Sequence, residues 1–189
     1  MIYSERIRLR RNEREDIPKF LDWLNDPEVT RYLSNTLPIS HAIEDQWFEN
    51  VLKQPKEEQP YGIEIRALEN SEGGQPWRLI GNCSVMNLNW TVRSAEVGIF
   101  IGDKSCWNKG YGTEAMRLLL RIGFDTLNLN RIFLRVDADN QGGIRAYEKA
   151  GFIHEGHLRQ AVFENGEYRD LLYMSVLRSE WKPEKQDKR

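Results

Sequence analysis

Trp107-Asn108-Lys109-Gly110-Tyr111-Gly112-Thr113-Glu114-Ala115 sets two glycines between a strand-like run and a helix-like run. The run before it, Ala95-Glu96-Val97-Gly98-Ile99-Phe100-Ile101, reads as a strand. After it, Ala115, Met116, Leu118, Leu119, Ile122 and Phe124 recur at the spacing of an amphipathic helix. Glycines at a helix start let the backbone approach a ligand closely and leave free N–H groups pointing outward. The helix dipole adds about half a positive charge there, so such a turn suits phosphate. The chemistry this predicts is the holding of a phosphate-bearing cofactor.

Two common phosphate turns fit these residues poorly. The dinucleotide fingerprint wants a third glycine where Ala115 stands, and a repeating parallel βαβ array around it. A Walker loop ends in Gly-Lys-Ser/Thr, whereas Lys109 precedes the glycine here. A different frame must position the turn.

The elements around it can be read along the chain. Ile7 and Leu9 alternate with Arg6, Arg8 and Arg10 as a first strand with one solvated face. Glu13 to Asn25 predicts a helix on Ile17, Phe20, Leu21 and Leu24, closed by Asp26-Pro27. His41 to Lys53 predicts a second, with Ile43, Trp47, Phe48 and Val51 inward and Pro55 as the stop. Tyr61 to Leu68 and Trp77 to Leu88 form a hairpin around the turn cluster from Asn70 to Pro76. Arg131 to Asp137 alternates as a strand, and Asn140 to Ala150 is a short helix closed by Gly151. Asn165-Gly166 joins two final strands. The order β-α-α-β-β-β-α-β-α-β-β is α+β in class: a mixed sheet flanked by helices.

Composition bounds the rest. At 189 residues and 22.3 kDa the chain suits one well-buried domain. A net charge of −2 argues against a general nucleic-acid binder. Cys83 and Cys106 share no CxxC spacing with each other or with His41, His154 and His157, so no metal is expected. No apolar run approaches the roughly 18–20 residues that span a bilayer. Met1 to Arg6 shows no signal sequence. The chain reads as a soluble cytoplasmic protein with reduced thiols and no membrane partner.

The residues of the turn resemble the GNAT superfamily of acetyl-CoA-dependent N-acetyltransferases. That family's signature, Gln/Arg-x-x-Gly-x-Gly/Ala, is filled by Trp107 to Gly112, with Trp107 in place of the usual Gln or Arg. Asn140 to Phe152, ending Tyr147-Glu148-Lys149-Ala150-Gly151-Phe152, looks like its second signature, with Gly143 where Ser or Ala is usual. Glu155 to Arg159 and Asn165 to Asp170 are similar to the branch of ribosomal-protein N-terminal and spermidine acetyltransferases. The resemblance implies a single GNAT-like domain over residues 1–181, with a mostly antiparallel seven-stranded sheet. Residues 182–189 would be a charged, disordered tail.

The same resemblance implies roles. Acetyl-CoA is the co-substrate, held by Trp107, Asn108, Lys109, Gly110, Tyr111, Gly112 and Thr113 at its pyrophosphate. Phe100, Ile101 and Gly102 offer backbone groups to its pantetheine arm, and Asn140 adds a contact there. Asn140 is equally a helix cap, and the two roles are compatible. Glu96 is the general base, often acting through water, because an amine near pKa 10 must lose a proton to attack a thioester. The alternative is a salt-bridged strand residue. Tyr147 is the general acid for the departing thiolate; the alternative is an aromatic packed beside Phe152.

Tyr32, Leu33 and Trp90 are candidate walls of the acceptor pocket, although core packing also explains such residues. From Arg31 to Ile43 there is no acidic residue, which disfavours a polycation and favours a peptide or protein α-amine over a polyamine. A CoA-binding sensor without catalysis would need neither Glu96 nor Tyr147. An oligomerising protein anchored by exposed tryptophans would bind no cofactor, while a homodimer is compatible with the enzyme reading.

Overall fold

The computed structural model describes residues 1–33, 37–66, 76–164 and 166–182. The expected strand end at 67–68, most of the turn cluster (residues 70–75), Asn165 and the tail from 183 onward lie outside the described residues.

Ile7–Arg11 (β2) forms because Ile7 and Leu9 point into the core, both fully buried. The intervening arginines do more than face water. Arg8 and Arg10 both pair with the buried Glu64 carboxylate, and Arg10 also reaches Asp16 at 2.6 Å. A short strand Ile2–Tyr3 (β1) adds to the outer edge of β2, giving eight strands among the described residues where the sequence suggested seven.

The first predicted helix splits. Arg14–Asp16 forms a single 3₁₀ turn and Ile17–Leu24 (α1) continues from it, with Pro18 in the first turn, where its missing N–H does no harm. Pro27–Thr30 (α2) follows, capped by the Asp26 side chain. His41–Lys53 (α3) has the expected ends, and Ser40 caps it. Its inward face is rotated from the expectation: Glu44, Phe48 and Val51 are buried, whereas Ile43 is 56 % exposed. The periodic set that includes a glutamate is the one that packs.

Tyr61–Arg66 (β3), Trp77–Asn89 (β4) and Ser94–Ile101 (β5) continue an antiparallel meander. Tyr111–Arg121 (α4), extended by a π-helical turn over Ile122–Thr126, crosses the sheet against β2, β4 and β5. Arg131–Asp137 (β6) then lies parallel to β5, and Gln141–Ala150 (α5) packs on α4. Ile153–Glu164 (β7) and Glu167–Leu177 (β8) close the sheet as a hairpin. The order is β1-β2-β3-β4-β5-β6-β8-β7, antiparallel except between β5 and β6. Met116, Leu119, Phe124, Ile132 and Met174 fill the core beneath α4.

Among the described residues no helix is long and apolar enough to cross a membrane.

Glu44 is 4 % exposed and its carboxylate takes no hydrogen bond or ion pair from the described residues. Burial raises its pKa above the ordinary carboxyl value. A raised carboxyl contributes stability in its protonated form, fully present below the ordinary value and lost as pH rises through the raised one. Replacing Glu44 by Met should therefore raise stability at pH 7 by about 1–3 kcal/mol, with the gain shrinking toward pH 4, as read from thermal unfolding at both pH values.

Candidate active site

The glycine turn follows from the end of β5. Asp103 caps a single 3₁₀ turn at Lys104–Cys106 through the Ser105 N–H at 2.9 Å. Asn108 (φ 59°) and Gly110 (φ 84°) then take left-handed conformations, which asparagine tolerates and glycine adopts freely. Gly110 begins α4 with no side chain to cap it, and the Glu114 N–H bonds back to the Gly110 carbonyl at 3.1 Å. The N–H groups of Tyr111, Gly112 and Thr113 precede that first bond and point out of the helix end. A Cβ on Gly112 would meet nothing within 4 Å, so the space before these amides is open.

Five contacts brace the turn. The Trp107 indole N–H donates to the Ile101 carbonyl at 2.7 Å, so the residue that departs from the Gln/Arg signature still makes a polar contact. Glu114 accepts from Ser4 Oγ at 2.6 Å and from the Arg6 N–H at 3.0 Å. The Arg6 guanidinium pairs with Glu114 at 2.8 Å and donates to the Lys109 carbonyl at 3.1 Å. It thereby neutralises a carboxylate that would oppose an anion in the first turn of α4.

The turn opens into a cleft of about 780 Å³ between β5 and β6. Parallel pairing runs only from Ser94↔Arg131 to Glu96↔Phe133, while β4 stays paired with β5 as far as Ile101. Beyond Glu96 the alternate backbone groups of 97–101 that face away from β4 have no strand partner among the described residues. Such an edge can pair with an extended ligand as another strand would.

The expected site residues are largely brought together. Phe100, Ile101, Trp107, Asn108, Gly110, Tyr111, Gly112, Thr113, Asn140 and Tyr147 line this cleft, as do Tyr32 and Leu33 at its other end. Lys109 and Gly102 do not. The Gly102 N–H is taken by the Ile80 carbonyl at 2.9 Å, and any side chain there would overlap the Trp23 ring. Its role is to let α1 dock on the end of β5. Trp90 also lies elsewhere: it is 56 % exposed in the turn between β4 and β5, at the far end of β5 from Ile101.

Asn140 caps α5, its Oδ1 accepting from the Gly143 N–H at 2.9 Å. A Cβ on residue 143 would come 2.8 Å from Asn140 Nδ2, so a larger residue there would require the capping side chain to shift. Tyr147 packs edge-on against Phe152 with ring centroids 6.1 Å apart. Burial pushes its phenol up to about 12, and among the described residues its hydroxyl has no hydrogen-bond partner.

Glu96 is buried beside the vertex where β5 and β6 part, and it is not part of the cleft wall. Its carboxylate accepts from Arg135 Nε at 2.9 Å, Arg135 Nη2 at 3.2 Å and Asn87 Nδ2 at 2.9 Å. Arg135 itself lines the cleft, between Glu96 and the space. Arg6, Arg135 and the cleft-lining Asp137 escaped the sequence reading, because Arg6 meets Glu114 across 108 positions and Arg135 meets Glu96 across 39. No local spacing marks such pairs.

The cradle makes a direct prediction. Gly112→Val fills the open space before the amides of α4, so acetyl-CoA affinity should fall at least about tenfold, or about 1.4 kcal/mol. A Cβ there meets no protein atom within 4 Å, and thermal unfolding without ligand should stay near wild type, as calorimetric titration and a melting curve would show.

Residues 6–153 match the family model described as acetyltransferase (GNAT) domain. The chain is 30 % identical over 182 residues to the uncharacterized N-acetyltransferase p20 of Bacillus licheniformis, covering 95 % of this chain and 97 % of that one. It is 37 % identical over 107 residues to YdaF of Bacillus subtilis, whose provisional name is ribosomal N-acetyltransferase, covering 57 % and 58 %. The crystal structure of spermidine N-acetyltransferase from Vibrio cholerae, in complex with CoA and spermine, superposes with a TM-score of 0.80 at 27 % identity. That match covers 92 % of this chain and 96 % of the Vibrio chain. The chain therefore belongs to the GNAT family as an acetyl-CoA-dependent N-acetyltransferase.

Proposed function

We propose that the acceptor is the α-amine of a peptide or protein N-terminus, acetylated by direct attack. The observation that carries this reading is the charge at the acceptor end of the cleft. Three carboxylates line the cleft: Glu28 shares Lys104 (2.9 Å) with Asp26, Asp137 shares Arg169 (2.8 Å) with Glu164, and exposed Asp139 has no ion pair among the described residues. Arg31 lines the same end and has no carboxylate partner among the described residues. With Glu28 and Asp137 already engaged by cations and the Arg31 guanidinium opposing a second ammonium, this wall suits a single amine better than a tri- or tetracation. An α-amine near pKa 8 is also easier to deprotonate than an alkylamine.

A polyamine acceptor is the second reading. It is supported by the Vibrio cholerae spermidine acetyltransferase, 36 % identical over 103 residues that span 54 % of this chain and 59 % of that enzyme. Exposed Asp139 on the cleft rim is a carboxylate without an ion pair among the described residues, and it could meet one ammonium.

Acetyl-CoA supplies an activated acyl group on a thiol leaving group. The amides of Tyr111 to Thr113 hold its pyrophosphate, and the unpaired edge of β5 aligns its pantetheine and polarises the thioester carbonyl. Glu96 takes the amine proton through water, since its own carboxylate stands behind Arg135. Tyr147 serves the sulfur. With its phenol near 12 and a thiol near 8.5, complete transfer to sulfur is uphill by roughly 5 kcal/mol. Tyr147 therefore acts as a strong hydrogen-bond donor to the developing thiolate and keeps its proton, and the departed thiolate is protonated by water. The remaining burden is positioning.

Thiol release with acetyl-CoA, a serine-initiated peptide and spermidine distinguishes the two acceptors. The primary reading expects kcat/KM for the peptide to exceed that for spermidine at least about tenfold, and the reverse ratio would establish the polyamine reading. Glu96→Gln should lower kcat by about 10²–10³ and Tyr147→Phe by about tenfold or more, with acetyl-CoA affinity kept. Because burial keeps the phenol protonated, the wild-type rate should show no loss from Tyr147 ionisation between pH 8 and 10. Full activity in both variants would remove them from the mechanism.

A further inference from the structure

We infer that Arg169, which lies outside the reacting centre, is the positioning residue that pins the acceptor wall of the cleft. Arg169 belongs to β8, directly across the hairpin from Val162. Its guanidinium Nη1 donates to the Arg31 carbonyl at 3.2 Å and to Asp137 Oδ2 at 2.8 Å. Glu164 Oε2 lies 3.6 Å away. The same guanidinium sits over the Tyr32 ring, 5.5 Å from its centroid. One side chain thus joins three separate pieces of chain: the segment after α2, the end of β6 on the cleft, and the final hairpin.

The surroundings make this a specific attachment. The side chains of Arg169, Asp137 and Glu164 are 17 %, 5 % and 8 % exposed, so the charges interact with little solvent screening. Asp137 also accepts the Asp139 N–H at 2.8 Å, which fixes its orientation. Arg31 and Tyr32 both line the cleft, so the contacts to the Arg31 carbonyl and the Tyr32 ring set where this wall stands. A planar guanidinium can stack on a ring and donate in two directions at once; a lysine ammonium cannot reproduce that fork. The phosphate turn is braced by Arg6 and Trp107 instead, so the two ends of the cleft are held by different residues.

This inference rests on the acceptor lying against Arg31 to Leu33, and its test has one arm independent of any acceptor. The bond after Arg31 is a trypsin site whose carbonyl Arg169 holds. In Arg169→Lys and Arg169→Gln, cleavage after Arg31, followed by mass spectrometry, should accelerate about tenfold. Acetyl-CoA affinity by calorimetry should stay within about twofold. KM for whichever of the serine-initiated peptide and spermidine is turned over should rise about tenfold while kcat stays within about threefold. The lysine variant keeps a cation beside Asp137, so it decides the matter should the glutamine variant fail to fold. Unchanged cleavage, or acetyl-CoA affinity falling in step with amine KM, would overturn the proposal. If the wild type acetylates neither amine, the acceptor reading fails, while the cleavage and acetyl-CoA arms still decide the role of Arg169.

Discussion

The parting of β5 from β6 after the Glu96↔Phe133 pair is the constraint on which the site depends. A parallel pair that continued to Ile101 would satisfy its own backbone and leave nothing for a ligand. Here β5 stays straight because β4 holds it as far as Ile101, and α1 docks Trp23 over Gly102 at its end. On the other side β6 is drawn towards β8, pairing from Arg131↔Leu177 to Asp137↔Leu171. The Arg135–Glu96 ion pair sits beside the vertex, where the strands are still close. Unpaired peptide groups in a cleft cost stability unless water or a ligand meets them, so this frame is arranged for an extended partner with amides of its own.

The uncapped start of α4 completes the frame with charge. Its free N–H groups and dipole attract an anion, and the one carboxylate in its first turn is neutralised by Arg6. Arg145 and Lys149, four residues apart on α5, line the same cleft and leave its cofactor side positive. On the acceptor side the carboxylates are engaged instead, the buried Asp137 and Glu164 sharing Arg169. That difference lets one cleft hold a polyanionic co-substrate at one end and an amine at the other.

Much of this was legible in the sequence, for local reasons. The glycine turn, its helix and the Asn140 cap are set by residues within a few positions of one another, and they appear where the pattern places them. The α3 ends were equally readable, but its face was not. Periodicity argued for Ile43, while packing buried Glu44, against the ordinary preference for burying the apolar residue. Trp90 differs for a similar reason: residue type suggests a pocket wall, but it stands exposed in the β4–β5 turn and is not among the residues lining the cleft. Gly102 was expected, by family resemblance, to offer backbone groups to the cofactor, and the structure places it under the Trp23 ring. The ion pairs that brace the site join residues dozens of positions apart, and only the folded chain brings them together.

The most direct test of this frame is residue-resolved amide hydrogen exchange with and without saturating acetyl-CoA. The account predicts strong new protection at the amides of Tyr111, Gly112 and Thr113 and at alternate positions between Val97 and Ile101, with the core amides of β3 and β4 unchanged. Uniform protection across the molecule, or none at the α4 start and the open edge of β5, would contradict it.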